Sequence, residues 1–96
     1  MNLNERLNAS KNQVFQLARK YGATNLRVFG SVARGEATSQ SDIDLLVRFD
    51  PNRSLLDHVG LVQDLEALLG CEVDVVSEKG LHWYVRDKIL KEARPL

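Results

Sequence analysis

Cysteine is almost missing from this chain. A single one, Cys71, excludes an internal disulfide and assembles no zinc set, which leaves it as a small buried filler. Net charge is missing too. Thirteen basic residues balance thirteen acidic ones, so no overall field recruits nucleic acid or a membrane surface. No apolar run approaches the roughly 18 residues of a spanning helix, and the opening Met-Asn-Leu-Asn-Glu-Arg lacks the pattern of a secretion signal. Internal repeats, low-complexity tracts and linkers are absent as well. Together these absences predict a cytoplasmic protein with no membrane segment and no direct nucleic-acid binding. Ninety-six residues have room for one core, so one domain is expected over 1–96.

What is present is a pair of aspartates, Asp42 and Asp44, in the segment Ser-Asp-Ile-Asp-Leu-Leu-Val over 41–47. In a strand, alternate side chains share a face. Ile43, Leu45 and Val47 can enter a core while both carboxylates stand together on the other side. Two carboxylates about 4 Å apart repel by roughly 4 kcal/mol at an effective dielectric near 20. A fold rarely carries that strain for stability alone, whereas clustered hard oxygens beside a phosphate-binding turn suit Mg²⁺ chemistry on a nucleotide.

Apolar spacing supplies the frame. Leu3, Leu7, Val14, Leu17, Ala18 and Tyr21 predict one amphipathic helix ended by Gly22. Asn25 to Phe29 reads as a short strand, broken by Gly30-Ser31, with a helical turn from Ser31 to about Gly35. Glu36 to Gln40 is a polar loop, and Ser41 to Phe49 is the acidic strand, stopped by Asp50-Pro51-Asn52. Ser54 can cap a helix with Leu55, Val59, Val62, Leu65 and Leu69 on one face, ended by Gly70. Cys71 to Ser77 is a further strand, and Leu81 to about Ala93 a last helix with Leu81, Val85, Ile89 and Ala93 spaced by four. The order predicts a small α/β (α+β) fold, a mixed sheet of three to four strands with helices packed on one face. Leu55, Leu56 and Leu61 are expected in the core first and at contacts second. Trp83 and Tyr84 are expected to pack on the last helix, with a partner surface as the other possibility. His58 and His82 are expected at the surface or at helix ends.

A third carboxylate joins the pair. On the strand over 71–77, Val73 and Val75 alternate with Glu72 and Asp74. If this strand lies beside the acidic one, the valines pack with Ile43, Leu45 and Val47, and Asp74 faces the same way as Asp42 and Asp44. Three carboxylates on adjacent strands suit two Mg²⁺ ions about 3.5–4 Å apart. Gly30 lets backbone approach a phosphate closely, Ser31 adds a hydroxyl donor, and the Arg34 guanidinium can reach a leaving pyrophosphate. Singly these features have plain readings. The aspartates fit a polar outer strand face, Arg34 fits a surface charge, and Ser41 is a strand-entry or turn hydroxyl. Their order and placement together give the specific reading.

Val-Phe-Gly-Ser at 28–31, ten further residues, Asp42-Ile-Asp44 and a lone aspartate on a later strand resemble the nucleotidyltransferase superfamily of DNA polymerase β. More narrowly, Gly-Ser-Val-Ala-Arg-Gly at 30–35, followed by the acidic strand, is similar to the minimal nucleotidyltransferases (MNT) of prokaryotes. The likeness runs from the first helix to the last. It implies that Gly30 and Ser31 hold the phosphates of ATP and that Asp42, Asp44 and Asp74 hold Mg²⁺, with Asp74 activating the acceptor hydroxyl. It also implies a role as an antitoxin paired with a HEPN-domain ribonuclease toxin, which receives AMP on a tyrosine. Each motif position is present, so an active enzyme is expected.

Size bears on the acceptor. Strands and helices of the site consume the chain and leave no room for a substrate domain, which favours an acceptor presented by another folded protein. Arg34, Arg48 and Arg53 are candidates to dock its loop. Two other functions stay open: nucleotidyl transfer to a small molecule, and a non-catalytic antitoxin that neutralises its partner by occlusion.

Overall fold

A computed structural model describes residues 3–38 and 40–96. Ser39, within the expected loop, and the first two residues, at the start of the expected N-terminal segment, lie outside that description. The chain opens with two helices, α1 (Leu3–Ala9) and α2 (Lys11–Lys20), rather than the one that was expected. They meet at Ser10, whose φ of −103° and ψ of 12° step out of helical geometry. No large apolar residue lies between Leu7 and Val14, so no packing contact holds that stretch to a single straight axis. Strand β1 (Ala23–Phe29) follows, then α3 (Gly30–Arg34), β2 (Ile43–Phe49), α4 (Leu55–Leu69), β3 (Val73–Ser77), a 3₁₀ turn at Glu78–Gly80, α5 (Trp83–Glu92) and β4 (Arg94–Pro95).

The sheet order is β3-β2-β1-β4, with β2 parallel to β3 and antiparallel pairing elsewhere. The parallel pair needs a crossover, and α4 provides it. Leu61, Leu65 and Leu69 of α4 pack with Ile43, Leu45, Val47, Val73 and Val75, and with Leu3, Leu7 and Val14 of the first two helices. The two-residue period of β2 thus selects one face, as its sequence predicts.

Ser54 caps α4 as expected. Its hydroxyl accepts from Leu56 N–H at 3.2 Å, and Asp57 returns the favour to the Ser54 N–H at 3.0 Å. Ser54→Ala should cost about 1 kcal/mol and lower Tm by roughly 4–8 °C. A thermal melt checks it, and an unchanged Tm would deny the cap any weight.

Several expectations about faces do not hold. Leu55 and Leu56, in the first turn of α4, are 75% and 81% exposed. Trp83 and Tyr84 are 78% and 77% exposed rather than packed. Helix α5 starts after Leu81, with His82 as its cap, and has no fully buried residue. Arg86 donates to Glu78 O at 3.1 Å, and Glu92 reaches Gly30 and Arg34. These anchors bring the end of α5 back to α3 and the Gly30 turn, while Leu46 and Phe29 are buried outside the main core. The mixed four-stranded sheet with its helices is the architecture expected. His58 is half-buried rather than superficial. Its Nε2 donates to Val75 O at 2.7 Å, and the ring stacks on Phe49. Strand β1 begins two residues early and bulges at Asn25, which has φ +52°. Strand β4, two residues long, has no period by which a sequence could announce it.

Candidate nucleotide and metal site

Strand β2 sets the site. Its parallel register places Asp44 beside Asp74, and its antiparallel register places Asp44 beside Phe29, the residue before Gly30. Asp42 precedes Asp44 by two residues and is exposed, as is Asp74, while Asp44 is half-buried. Burial first, and then the Asp74 and Asp42 carboxylates, push the Asp44 carboxyl above the usual carboxylate range, with Arg34 opposing them. Both neighbouring aspartates thus act on Asp44, which the parallel register sets beside Asp74.

The left-handed turn between β1 and α3 closes the other side. Gly30 has φ +72°, and a Cβ built there would fall 2.2 Å from Asp44 Oδ2. Both the backbone angle and the close approach require glycine. Gly35 ends α3 with φ +73° and nothing within 4 Å of its own missing Cβ. Ser41 Oγ accepts from the Thr38 N–H at 2.9 Å, so it orders the entry to β2 as a turn hydroxyl.

Arg34 pairs with Glu36 and, at 3.0 Å through Nη1, with Glu92. Glu92 also accepts from the Gly30 N–H. Sequence reading missed Glu92, for it lies in the charged run Lys-Glu-Ala-Arg at 91–94 and only the return of α5 brings it here. The other two arginines do not gather at the acidic cluster. Arg48 lies about 13 Å along β2 from Asp44 at strand rise and lines a cavity of about 200 Å³ with Phe49, Ser77 and Arg86. Arg53 pairs with Asp57 at 3.4 Å and also donates to Lys20 O.

The donor set fits a hard divalent cation, for it offers carboxylate oxygens alone. Among the described residues no three acidic, histidine or cysteine side chains already converge on one point. A bound cation would offset the repulsion between them.

Coupled carboxylates beside a left-handed glycine, on a small mixed sheet, define an enzyme class that works on phosphate esters. The nucleotidyltransferase-domain family model matches residues 11–96, and the chain belongs to that family. It is a nucleotidyltransferase enzyme. A Methanocaldococcus jannaschii protein provisionally named protein adenylyltransferase MJ0435 is 43% identical over 93 residues, 97% of this chain and 96% of its own. Protein adenylyltransferase MntA of Thermococcus cleftensis is 42% identical, over 80% of this chain and 78% of its own. A solved structure provisionally named a minimal nucleotidyltransferase superposes with TM-score 0.88 and 53% identity, covering 100% of this chain and 97% of that one. A toxin–antitoxin crystal structure with AMP-PNP shares the fold at TM-score 0.76 and 22% identity, over 88% of this chain and 70% of that one. Nucleotidyltransferases of this family take a nucleoside triphosphate and a divalent metal.

Proposed function

We propose that this chain is a Mg²⁺-dependent protein adenylyltransferase. It moves AMP from ATP to a tyrosine hydroxyl of a HEPN-domain ribonuclease toxin, and so acts as the antitoxin of a pair. The observation that carries this reading is Asp44, flanked by Asp42 and Asp74 and closed against Gly30. The names of the adenylyltransferase relatives, and the fold held in common with a toxin–antitoxin structure containing AMP-PNP, support the choice of nucleotide and partner.

The acceptor oxygen attacks the α-phosphorus of ATP in line, a new P–O ester bond forms, and the bond to pyrophosphate breaks. Asp74 takes the hydroxyl proton. Asp42, Asp44 and Asp74 would hold Mg²⁺, expected as two ions, and the metal would supply charge neutralisation along the phosphate chain. Gly30 N–H and the Ser31 hydroxyl seat the phosphates, and Arg34 steadies the departing pyrophosphate. Catalysis of this kind is positioning and charge stabilisation.

The test mixes the purified chain with Mg²⁺, α-labelled ATP and the product of its neighbouring gene, if that gene encodes a HEPN-type protein, with Asp42→Asn in parallel. Label should pass to the partner with wild type and fall by at least about a hundredfold in the variant. A stable, neutralised complex with both proteins and no label would replace catalysis with occlusion, to which the exposed Trp83 and Tyr84 lend themselves.

A further inference from the structure

We propose that Glu92 is a built-in competitor for the nucleotide, a carboxylate seated where a phosphate of the incoming triphosphate must go. This inference rests on the nucleotide reading above and adds its control. One oxygen, Glu92 Oε1, accepts from both the Gly30 backbone N–H and Arg34 Nη1, the latter at 3.0 Å. These are the two donors, one main-chain and one guanidinium, that a phosphate oxygen would take up at this turn. Glu92 is 17% exposed along its side chain. It faces a site that already holds three aspartates, and its charge adds to those that push the Asp44 carboxyl upward. An acid placed among acids is costly unless something holds it, and here the Gly30 N–H and Arg34 hold it.

The position of α5 makes the contact reversible. The helix has no fully buried residue and is pinned near its start through Arg86 and at its end through Glu92. Displacing Glu92 therefore breaks two charge-assisted hydrogen bonds without opening the core. The nucleotide-free protein rests with its phosphate seat filled, and only a ligand offering more charge than one carboxylate takes the place. A metal-bound triphosphate meets that demand, because the cation quiets the aspartates while the phosphates replace Glu92 at Gly30 and Arg34. The apparent affinity then equals the intrinsic affinity reduced by the fraction of molecules in which the seat is free.

Calorimetric titration of the full chain with Mg²⁺ and AMP-PNP, and separately with Mg²⁺ and inorganic tripolyphosphate, tests the inference in wild type, Glu92→Gln and Glu92→Ala. Both variants should bind each probe about five- to tenfold more tightly, because a charge-assisted hydrogen bond no longer opposes entry. In the nucleotide-free protein the Gly30 amide proton should exchange faster in Glu92→Ala than in wild type, which reads the contact without any ligand. A thermal melt confirms that each variant is folded, and the Gln form keeps the shape of the side chain if the Ala form fails. Equal affinities with an unaltered Gly30 amide would overturn the competitor and leave the nucleotide reading standing. Weaker binding in the variants would also overturn it, placing Glu92 among the groups that hold the metal nucleotide. Failure of all three proteins to bind either probe would overturn the nucleotide reading and this inference with it.

Discussion

Asp44→Asn should reduce nucleotidyl transfer by at least about a hundredfold and leave the protein folded and at least as stable as wild type without metal. Asp44 sits between Asp42 and Asp74 and against Gly30, so it is the carboxylate most enclosed by the site. Asparagine keeps the shape and loses the charge that burial and the two neighbours disfavour. The sign follows from the raised folded-state pKa. Ionisation is harder in the folded chain than in the unfolded one, so it costs stability. That cost is full above the folded-state value and disappears as pH falls below the ordinary carboxylate range near 4. At neutral pH the variant should therefore melt at or a few degrees above wild type. Mg²⁺ should raise the Tm of wild type and leave that of the variant nearly unmoved. A metal-free Asp44→Asn protein that melts well below wild type would show instead that the carboxylate is a structural anchor.

Gly30→Ala should be damaging in both respects, and Gly35→Ala separates the causes. Both glycines hold φ near +70°, an angle that costs an alanine about 1–2 kcal/mol. Gly35 has open space around its missing side chain, whereas at Gly30 the new carbon would meet Asp44 Oδ2 at 2.2 Å. Gly35→Ala should thus lose about 1 kcal/mol and retain transfer. Gly30→Ala should lose more and drop transfer at least about tenfold, since a displaced Asp44 no longer lines up with its partners. Paired melts and label-transfer rates check both. Equal Tm losses at the two positions would mean that Asp44 gives way freely and that the close approach is incidental.

How much of this was legible in the sequence depends on the range of the interaction. The alternation of Ile43, Leu45 and Val47 with Asp42 and Asp44 is a local two-residue period, and it fixed both the core face and the acidic face. Ser54 and Gly70 bracket α4 by local chemistry, and both boundaries hold. Asp74 could be placed because a second alternating strand had to bury Val73 and Val75 somewhere. The failures are non-local. The spacing of Leu81, Val85, Ile89 and Ala93 announces a helix without saying that its end returns to Gly30 and Arg34. Leu55, Leu56, Trp83 and Tyr84 look like core by composition, yet each lies in the first turn of its helix and is exposed. Glu92 needs the whole path of α5 before it meets Gly30.

The bulge at Asn25 and the brevity of β4 also govern how copies of this chain meet. A sheet with a straight, bare border invites another sheet to join it, one row of N–H and C=O groups after the next. Here the β1 border is bent by Asn25 and then partly covered by Arg94 and Pro95, the latter with no N–H to offer. The β3 border is only five residues long, and the Glu66 carboxylate takes the Val73 N–H at 3.1 Å. Both borders are thus interrupted at a point where a second sheet would have to register. Each interruption makes edge-to-edge growth of the sheet harder.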